Sequence, residues 1–218
     1  MVRTVSLSGV PPNKHQLRTE ATRQKLLKSA RRIFARDGFE AARIEDVAAD
    51  AGHTRGAFYA HFQTKEELFL ALLEQQANIH FERIRQLLES ARSPEERLRR
   101  LREYYVACLR DREWTMLILE FKLFALRHGR LRAKLAEAHR RIRDSLLFEQ
   151  LEQYLPDNVQ CKARWRELRH VALEAMLNGL ALERMYDPKR LSEREANRIL
   201  RLVFNTLVGN EEGARAGL

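Results

Sequence analysis

An all-α fold is predicted by three features of this sequence. Apolar residues recur at helical spacing, as in Leu26/Leu27, Ala30, Ile33/Phe34 or Leu98, Leu101, Tyr105, Cys108, and no stretch alternates apolar and polar residues long enough for a strand. Prolines stand only at 11, 12, 94, 156 and 188, leaving three long proline-free stretches. Start signals are plain: Thr64-Lys65-Glu66-Glu67, Ser93-Pro94-Glu95-Glu96 and Ser192-Glu193-Arg194-Glu195 each spell a capping box. In such a box the hydroxyl accepts from the third following N–H while the glutamate reaches back.

The elements follow in order. A first helix over 17–37 stops at Asp37-Gly38. Two short helices, 44–51 and 55–62, flank Gly52-His53-Thr54, where Gly52 can take positive φ and Thr54 can cap the second. The box at Thr64 opens a helix over 65–91, and Ser93 opens 94–110, with Pro94 in a first turn where it sacrifices no hydrogen bond. Helices over 113–128, ended by His128-Gly129, and 131–154, ended ahead of Pro156, come next. The last two span 162–186, ended before Pro188, and 192–208, from the Ser192 box to Val208-Gly209. That makes nine helices, with residues 1–15 and 211–218 expected as flexible tails.

Composition excludes several classes. The 218 residues, 44% hydrophobic, suffice for a sizeable core. The longest apolar run, Leu68–Leu73, has six residues, against the ~20 that span a bilayer. Met1 to Lys14 holds no apolar stretch resembling a secretory signal, so Cys108 and Cys161 read as reduced thiols of a cytoplasmic protein. Gly-rich phosphate loops, Cys-x-x-Cys, His-x-x-x-His and nucleophile elbows are missing, so neither an enzyme nor a cofactor is expected. The seven scattered histidines show no ligand spacing, so no metal is expected either.

A net charge of +10 favours a polyanionic partner. It is unevenly placed: residues 1–36 carry nine Lys/Arg against Glu20 alone, +8, residues 37–74 carry −5, and residues 75–218 carry +7.

The two short helices have distinct faces. Val47, Ala48 and Ala51 give the first a narrow apolar side for close crossing, and Phe58 and Phe62 give the second its core face. Arg55 and Tyr59, four apart, then point outward. This is the sequence form of a helix-turn-helix, suited to a major groove, although two helices of an ordinary bundle have the same form.

Residues 22–74 hold, in order, Gly38-Phe39, Val47-Ala48, Ala51-Gly52-His53-Thr54-Arg55-Gly56-Ala57-Phe58-Tyr59-Ala60-His61-Phe62 and Lys65-Glu66-Glu67-Leu68. On these residues the stretch closely resembles the N-terminal domain of TetR-family transcriptional regulators. The resemblance implies a DNA-binding domain over 16–64 and an effector-binding and dimerisation domain over 65–210, connected by the helix from 65. It implies a homodimeric repressor on a near-palindromic double-stranded DNA operator, released by a small-molecule effector. A DNA-binding architectural protein without an effector is the alternative. Arg55 would reach base edges, with Gly56 and Ala57 allowing close approach. Thr54, Tyr59, His61 and Lys65 would contact phosphates, and the amide end of the Lys65 helix would add a phosphate site. Arg43 stands where the family has a capping Thr or Ser, and would reach a phosphate at the expense of the cap. His53 stands where an apolar residue is usual.

Beyond residue 75 the resemblance is architectural. Val171–Leu182 is apolar on nearly every side. Ala172, Ala175, Met176 and Gly179, with Leu200, Val203 and Leu207, would form a four-helix dimer interface with a two-fold mate; burial within one chain is the alternative. A ligand cavity would lie among the helices from about 100 to 180, lined by Tyr105, Trp114, Met116, Glu120, Phe121, Phe124, His128 and Phe148, residues that also suit plain core. The basic stretch from Arg127 to Arg143 reads as a solvated face, an anionic effector being the other reading.

Overall fold

The computed structural model describes residues 13–147 and 163–208, which form nine helices and no strand. They are α1 (Lys14–Asp37), α2 (Ile44–Asp50), α3 (Arg55–Tyr59), α4 (Lys65–Glu89), α5 (Pro94–Cys108), α6 (Arg112–Arg127), α7 (Gly129–Leu147), α8 (Ala163–Tyr186) and α9 (Glu193–Val208). The end of the seventh helix expected over 148–154, and the tails before residue 13 and after 208, lie outside the described residues.

Helix starts obey the capping signals, with two refinements. The Ser192 box is reciprocal: Glu195 N–H donates to the Ser192 hydroxyl (3.3 Å) and Ser192 N–H to the Glu195 carboxylate (2.9 Å). At Thr64 and Ser93 the hydroxyls accept as expected, but Glu67 and Glu96 reach one residue further back, to the N–H groups of Gln63 and Arg92, both at 2.8 Å. α1 begins at Lys14 rather than 17, because Asn13 and Gln16 form a reciprocal box of amides, each accepting from the other's N–H at 2.8 Å. Residues 14 and 15 are therefore helix, not tail. α7 starts at Gly129, so that glycine opens a helix instead of closing one; α6 ends on His128, whose N–H donates to the Phe124 carbonyl.

The chain divides into two compact units, residues 1–72 and 73–218. In the first, α1 buries Leu26, Leu27, Ala30, Ile33 and Phe34. The rings of Phe34, Phe39 and Phe69 meet at centroid distances of 5.2–5.7 Å. The buried Ser29 hydroxyl donates to the Val47 carbonyl (2.8 Å), fastening α2 to α1. α2 ends in a Schellman motif: His53 N–H donates to the Ala48 carbonyl and Gly52 N–H to that of Ala49, with Gly52 at φ +74°. α3 is shorter than the expected 55–62. After Tyr59 the chain turns, and the Phe58 carbonyl accepts from both His61 and Phe62.

In the second unit α9 presents Ala196, Leu200, Phe204 and Val208, four apart, to two buried clusters. One holds Ile84, Leu88, Leu101 and Leu173; the other holds Val106, Leu109, Leu180 and Ala181. This corrects two expected interface residues. Leu200 is fully buried, and Leu207 lies against the first cluster, since the inward row of α9 takes every fourth residue from Ala196.

Gly52 has open space where a Cβ would stand, so Gly52→Ala is penalised by backbone conformation alone. It should lose about 1–2 kcal/mol of unfolding free energy in a denaturant titration. Gly129→Ala, equally unobstructed and without positive φ, should lose none.

Candidate nucleic-acid interface and ligand cavity

Phe58 is fully buried, and this sets the outward face of α3. Thr54 caps the helix by accepting from Ala57 N–H (3.2 Å). Arg55 and Tyr59 lie exposed side by side, the guanidinium 5.4 Å from the ring centroid and donating to the phenol oxygen at 3.3 Å. Another guanidinium nitrogen of Arg55 lies 2.9 Å from a Glu45 carboxylate oxygen, and the second Glu45 oxygen lies 3.9 Å from Arg43. Arg43 precedes α2 without a side-chain cap, as its chemistry requires. Gly56 is exposed, and a Cβ there would meet only the Thr54 hydroxyl at 3.7 Å, an ordinary contact. His61 is half-buried and held below the usual histidine range by burial and by Arg23. His53 is also half-buried, its Nε2 without a hydrogen-bond partner, in the turn where an apolar residue is usual.

Lys65 departs from its expected place. Its ammonium donates to the carbonyls of Glu40 (2.8 Å) and Ala42 (3.0 Å) and sits 5.0 Å from the Phe39 ring centroid, and burial lowers its pKa. Two of its three protons are thus committed to the loop ahead of α2. The amide end of α4 is likewise occupied, by Thr64 and Glu67, with Glu66 beside them. Acidic groups there oppose a phosphate. Along α1, Lys14, Arg18, Lys25, Lys28, Arg32 and Arg36 recur at helical spacing on the exposed face opposite Leu26 and Phe34. Arg32 and Arg36 are paired with Asp50 and Asp37.

The second unit holds a partly open cavity of about 130 Å³ among α4, α5, α6, α7 and α8. Tyr105 and Trp114 line it as expected. The other expected residues do not. Phe121 and Phe124 are buried elsewhere, Met116 is exposed, Glu120 is half-buried outside the lining, His128 turns back on the Phe124 carbonyl, and Phe148 lies outside the described residues. The reason is helical phase: α6 faces the cavity with Trp114, Thr115 and Ile118. The remaining polar lining went unnoticed in the sequence. His170, Glu174 and Asn178 form a row four apart on α8, and His80, Tyr104, Cys108 and His139 join them. His80 Nδ1 bonds the Tyr104 hydroxyl. Burial raises the Tyr104 and Tyr105 pKa values and pushes the Cys108 thiol up to about 11. Burial also pushes the Glu174 carboxyl upward, but the Lys122 ammonium at 2.7 Å, with His170 and His139, outweighs it and holds the group down at about 2.

Opposite its packed side, α8 exposes Leu168, Val171, Ala175, Gly179, Leu182 and Tyr186, three or four residues apart, and α9 exposes Ile199 and Leu202. Of the expected interface residues, Ala175 and Gly179 lie on this stripe. Ala172, Met176 and Val203 are half-buried, and Met176 packs inward.

Comparisons with known proteins match two parts of the chain. A family model described as bacterial regulatory proteins, tetR family, matches residues 26–72. A second, BetI-type transcriptional repressor, C-terminal, matches residues 94–209, more than half the chain. The repressor AcnR of Corynebacterium diphtheriae is 46% identical over 55 residues, 25% of this chain and 29% of that protein. Matches to such curated relatives span between 28% and 40% of the relatives' own length. Among solved structures, one from Saccharomonospora viridis in complex with choline has a TM-score of 0.63 at 20% identity, covering 83% of this chain and 94% of that one. FadR of Bacillus subtilis, in complex with stearoyl-CoA, has a TM-score of 0.58 at 16% identity, covering 85% and 97%. At these identities the structural likeness concerns the fold. Among the described residues no helix is long and apolar enough to cross a membrane.

The ionised Glu174 predicts a pH dependence. Its folded pKa lies below the ordinary 4.5, so its stabilising contribution is full above pH 4.5 and is lost as pH falls toward 2. In urea unfolding, wild type should lose about 3 kcal/mol more than Glu174→Gln across that window.

Proposed function

The chain belongs to the TetR family of bacterial transcriptional regulators, and from this premise we propose that it acts as a homodimeric repressor released from a near-palindromic operator by a small molecule. One observation carries the proposal. One compact unit exposes Arg55 and Tyr59 on a helix-turn-helix, while the other holds a partly polar, partly open cavity with no contribution from the first. Arg55 offers guanine the bidentate donor that base reading uses, and Thr54, Tyr59, His61 and Arg43 surround it as phosphate contacts. Gly56 and Ala57 keep the helix surface low beside Arg55. Lys65 serves by holding the loop of Phe39 in place. The α1 stripe adds sequence-independent attraction to the duplex.

The exposed stripe of α8 and α9 is the surface we assign to dimerisation. Small residues Ala175 and Gly179 lie between larger apolar ones, a pattern that lets two helices approach closely and bury their flanks. A two-fold dimer places two copies of α3 on two half-sites about one helical turn apart, or a multiple of it. Release follows by linkage: an effector that binds better to a conformation with mis-spaced recognition helices weakens operator binding by the same factor.

The cavity constrains that effector. At about 130 Å³ it has room for a ligand of roughly benzene size. Tyr105 and Trp114 supply apolar wall, and His170, Glu174 and Asn178 meet a polar group. The choline and stearoyl-CoA seen in structures of this fold differ enough that the fold does not choose between ligand classes. A DNA-binding architectural protein remains the alternative, distinguished by no small molecule raising the unfolding temperature or lowering operator affinity.

Binding to selected duplexes across a salt series tests the reading. Wild type should prefer one near-palindromic sequence, and Arg55→Ala should cost about 1–3 kcal/mol while relaxing that preference. Replacing Lys14, Arg18, Lys25 and Lys28 by Gln should weaken binding to all duplexes alike and flatten the salt dependence. Leu182→Asp should sediment as a monomer and lose the tight site. Equal binding of wild type to selected and random DNA would favour the architectural protein.

A further inference from the structure

Arg55 is held by a group from another helix. Glu45, in the first turn of α2, places one carboxylate oxygen 2.9 Å from the Arg55 guanidinium, while Tyr59 lies under the same guanidinium and accepts a hydrogen bond from it. The long arginine side chain is therefore held by two neighbours, although it stands on a five-residue helix and is largely exposed. Two of its five N–H groups are occupied, which leaves three to donate.

We propose that Glu45 is a specificity-determining partner of Arg55, and that the pair selects half-sites carrying guanine for Arg55 and a neighbouring or paired cytosine for Glu45. The proposal rests on the operator-binding reading above. An ionised carboxylate has only acceptors. In the major groove it is met favourably by the amino group of cytosine, whereas thymine O4 and guanine O6 and N7 repel it and the amino group of adenine comes with a repelling N7 beside it. It is also repelled by phosphates, so a carboxylate between Arg43 and Arg55 lowers affinity for DNA in general. A cytosine amino group offsets that penalty only at the right sequence. Glu45 thereby rejects wrong sequences while it orients the residue that recognises the right one.

A purely structural role makes a different forecast. Glu45 also sits at the positive end of α2, which lacks a side-chain cap, and an acid there steadies the helix. Asp46 occupies the same first turn, so the helix end keeps an acid without Glu45. Losing a helix-steadying group would lower stability and weaken binding to every duplex equally.

The full-length protein, with Glu45→Gln and Arg55→Ala variants, is used to select duplexes from a randomised pool. Affinity for an unrelated duplex and the thermal unfolding midpoint are measured alongside. Wild type should enrich a motif with a fixed G·C pair in each half-site. Glu45→Gln should keep the midpoint, lose preference at that pair or its neighbour, and bind unrelated DNA about 3- to 10-fold more tightly, as expected when a dimer sheds two negative charges. Glu45→Gln enriching an unchanged motif, or binding every duplex more weakly, overturns the role of Glu45 while leaving operator binding intact. A wild-type pool without any enriched motif overturns the operator-binding reading itself, and this inference with it.

Discussion

A five-residue helix cannot hold itself together, and α3 is the element on which the exposed face of Arg55 and Tyr59 depends. Its order is imported. Phe58, fully buried, fixes the rotation of the helix, and so decides that Arg55 and Tyr59 face outward. Thr54 fixes where the helix begins, and Gly52 at positive φ lets α2 stop two residues earlier. α2 is itself short and is fastened by the Ser29 hydroxyl on the Val47 carbonyl. On the far side, Lys65 draws the Glu40 and Ala42 carbonyls onto the start of α4 beneath the Phe34, Phe39 and Phe69 rings. Each link is a neighbour-to-neighbour contact within residues 1–72. The exposed arginine is thus placed largely by packing, capping and loop contacts of its own unit.

The second unit follows a different logic. Its half-buried carboxylate, Glu174, is costly in a mostly apolar cavity, and Lys122 from α6 compensates it directly. Ion pairs of this kind are weak sources of net stability, because desolvation consumes much of the attraction. What the pair supplies is a fixed polar point in an otherwise apolar space. His170 and Asn178, one turn to either side on α8, extend it into a row. An incoming ligand can exchange a hydrogen bond with that row without first breaking an apolar core.

The helices were legible because their signals are local. Capping residues, glycines and prolines act within four or five positions, so starts and stops can be read without tertiary knowledge. Where expectation missed, the signal took a different form: Asn13 and Gln16 perform with two amides what Ser and Glu perform elsewhere. The helix-turn-helix face was legible for the same reason, since four-residue spacing pairs Arg55 with Tyr59 on a face apart from Phe58. The cavity was not. Aromatic residues of α6 were assigned to it by type, yet only helical phase decides which line it, and phase against distant helices is non-local information. The row at 170, 174 and 178 could have been found. A polar residue every fourth position on an apolar helix needs a reason, and an enclosed polar wall is one. Leu200 failed likewise: an apolar residue on an apolar helix does not declare whether it faces its own chain or a mate.

Charge completes the picture of the first unit. Residues 1–36 carry +8, and α1 sets six basic residues on one exposed face, at spacings where like charges repel one another. Yet the helices that follow are not basic. Glu45, Asp46 and Asp50 on α2 outnumber Arg43 and Arg55, and Glu45 lies against Arg55 itself. A surface made only for affinity would not place acids there, because every removed carboxylate strengthens attraction to phosphate. A surface made for discrimination would, because specificity is a ratio and falls when non-specific binding rises. The two halves of the unit then have complementary work. On the proposed reading, the α1 stripe would attract any duplex, and the near-neutral face of α2 and α3 would withhold its contribution until the bases opposite Arg55 and Glu45 supplied the acceptor and donor that match.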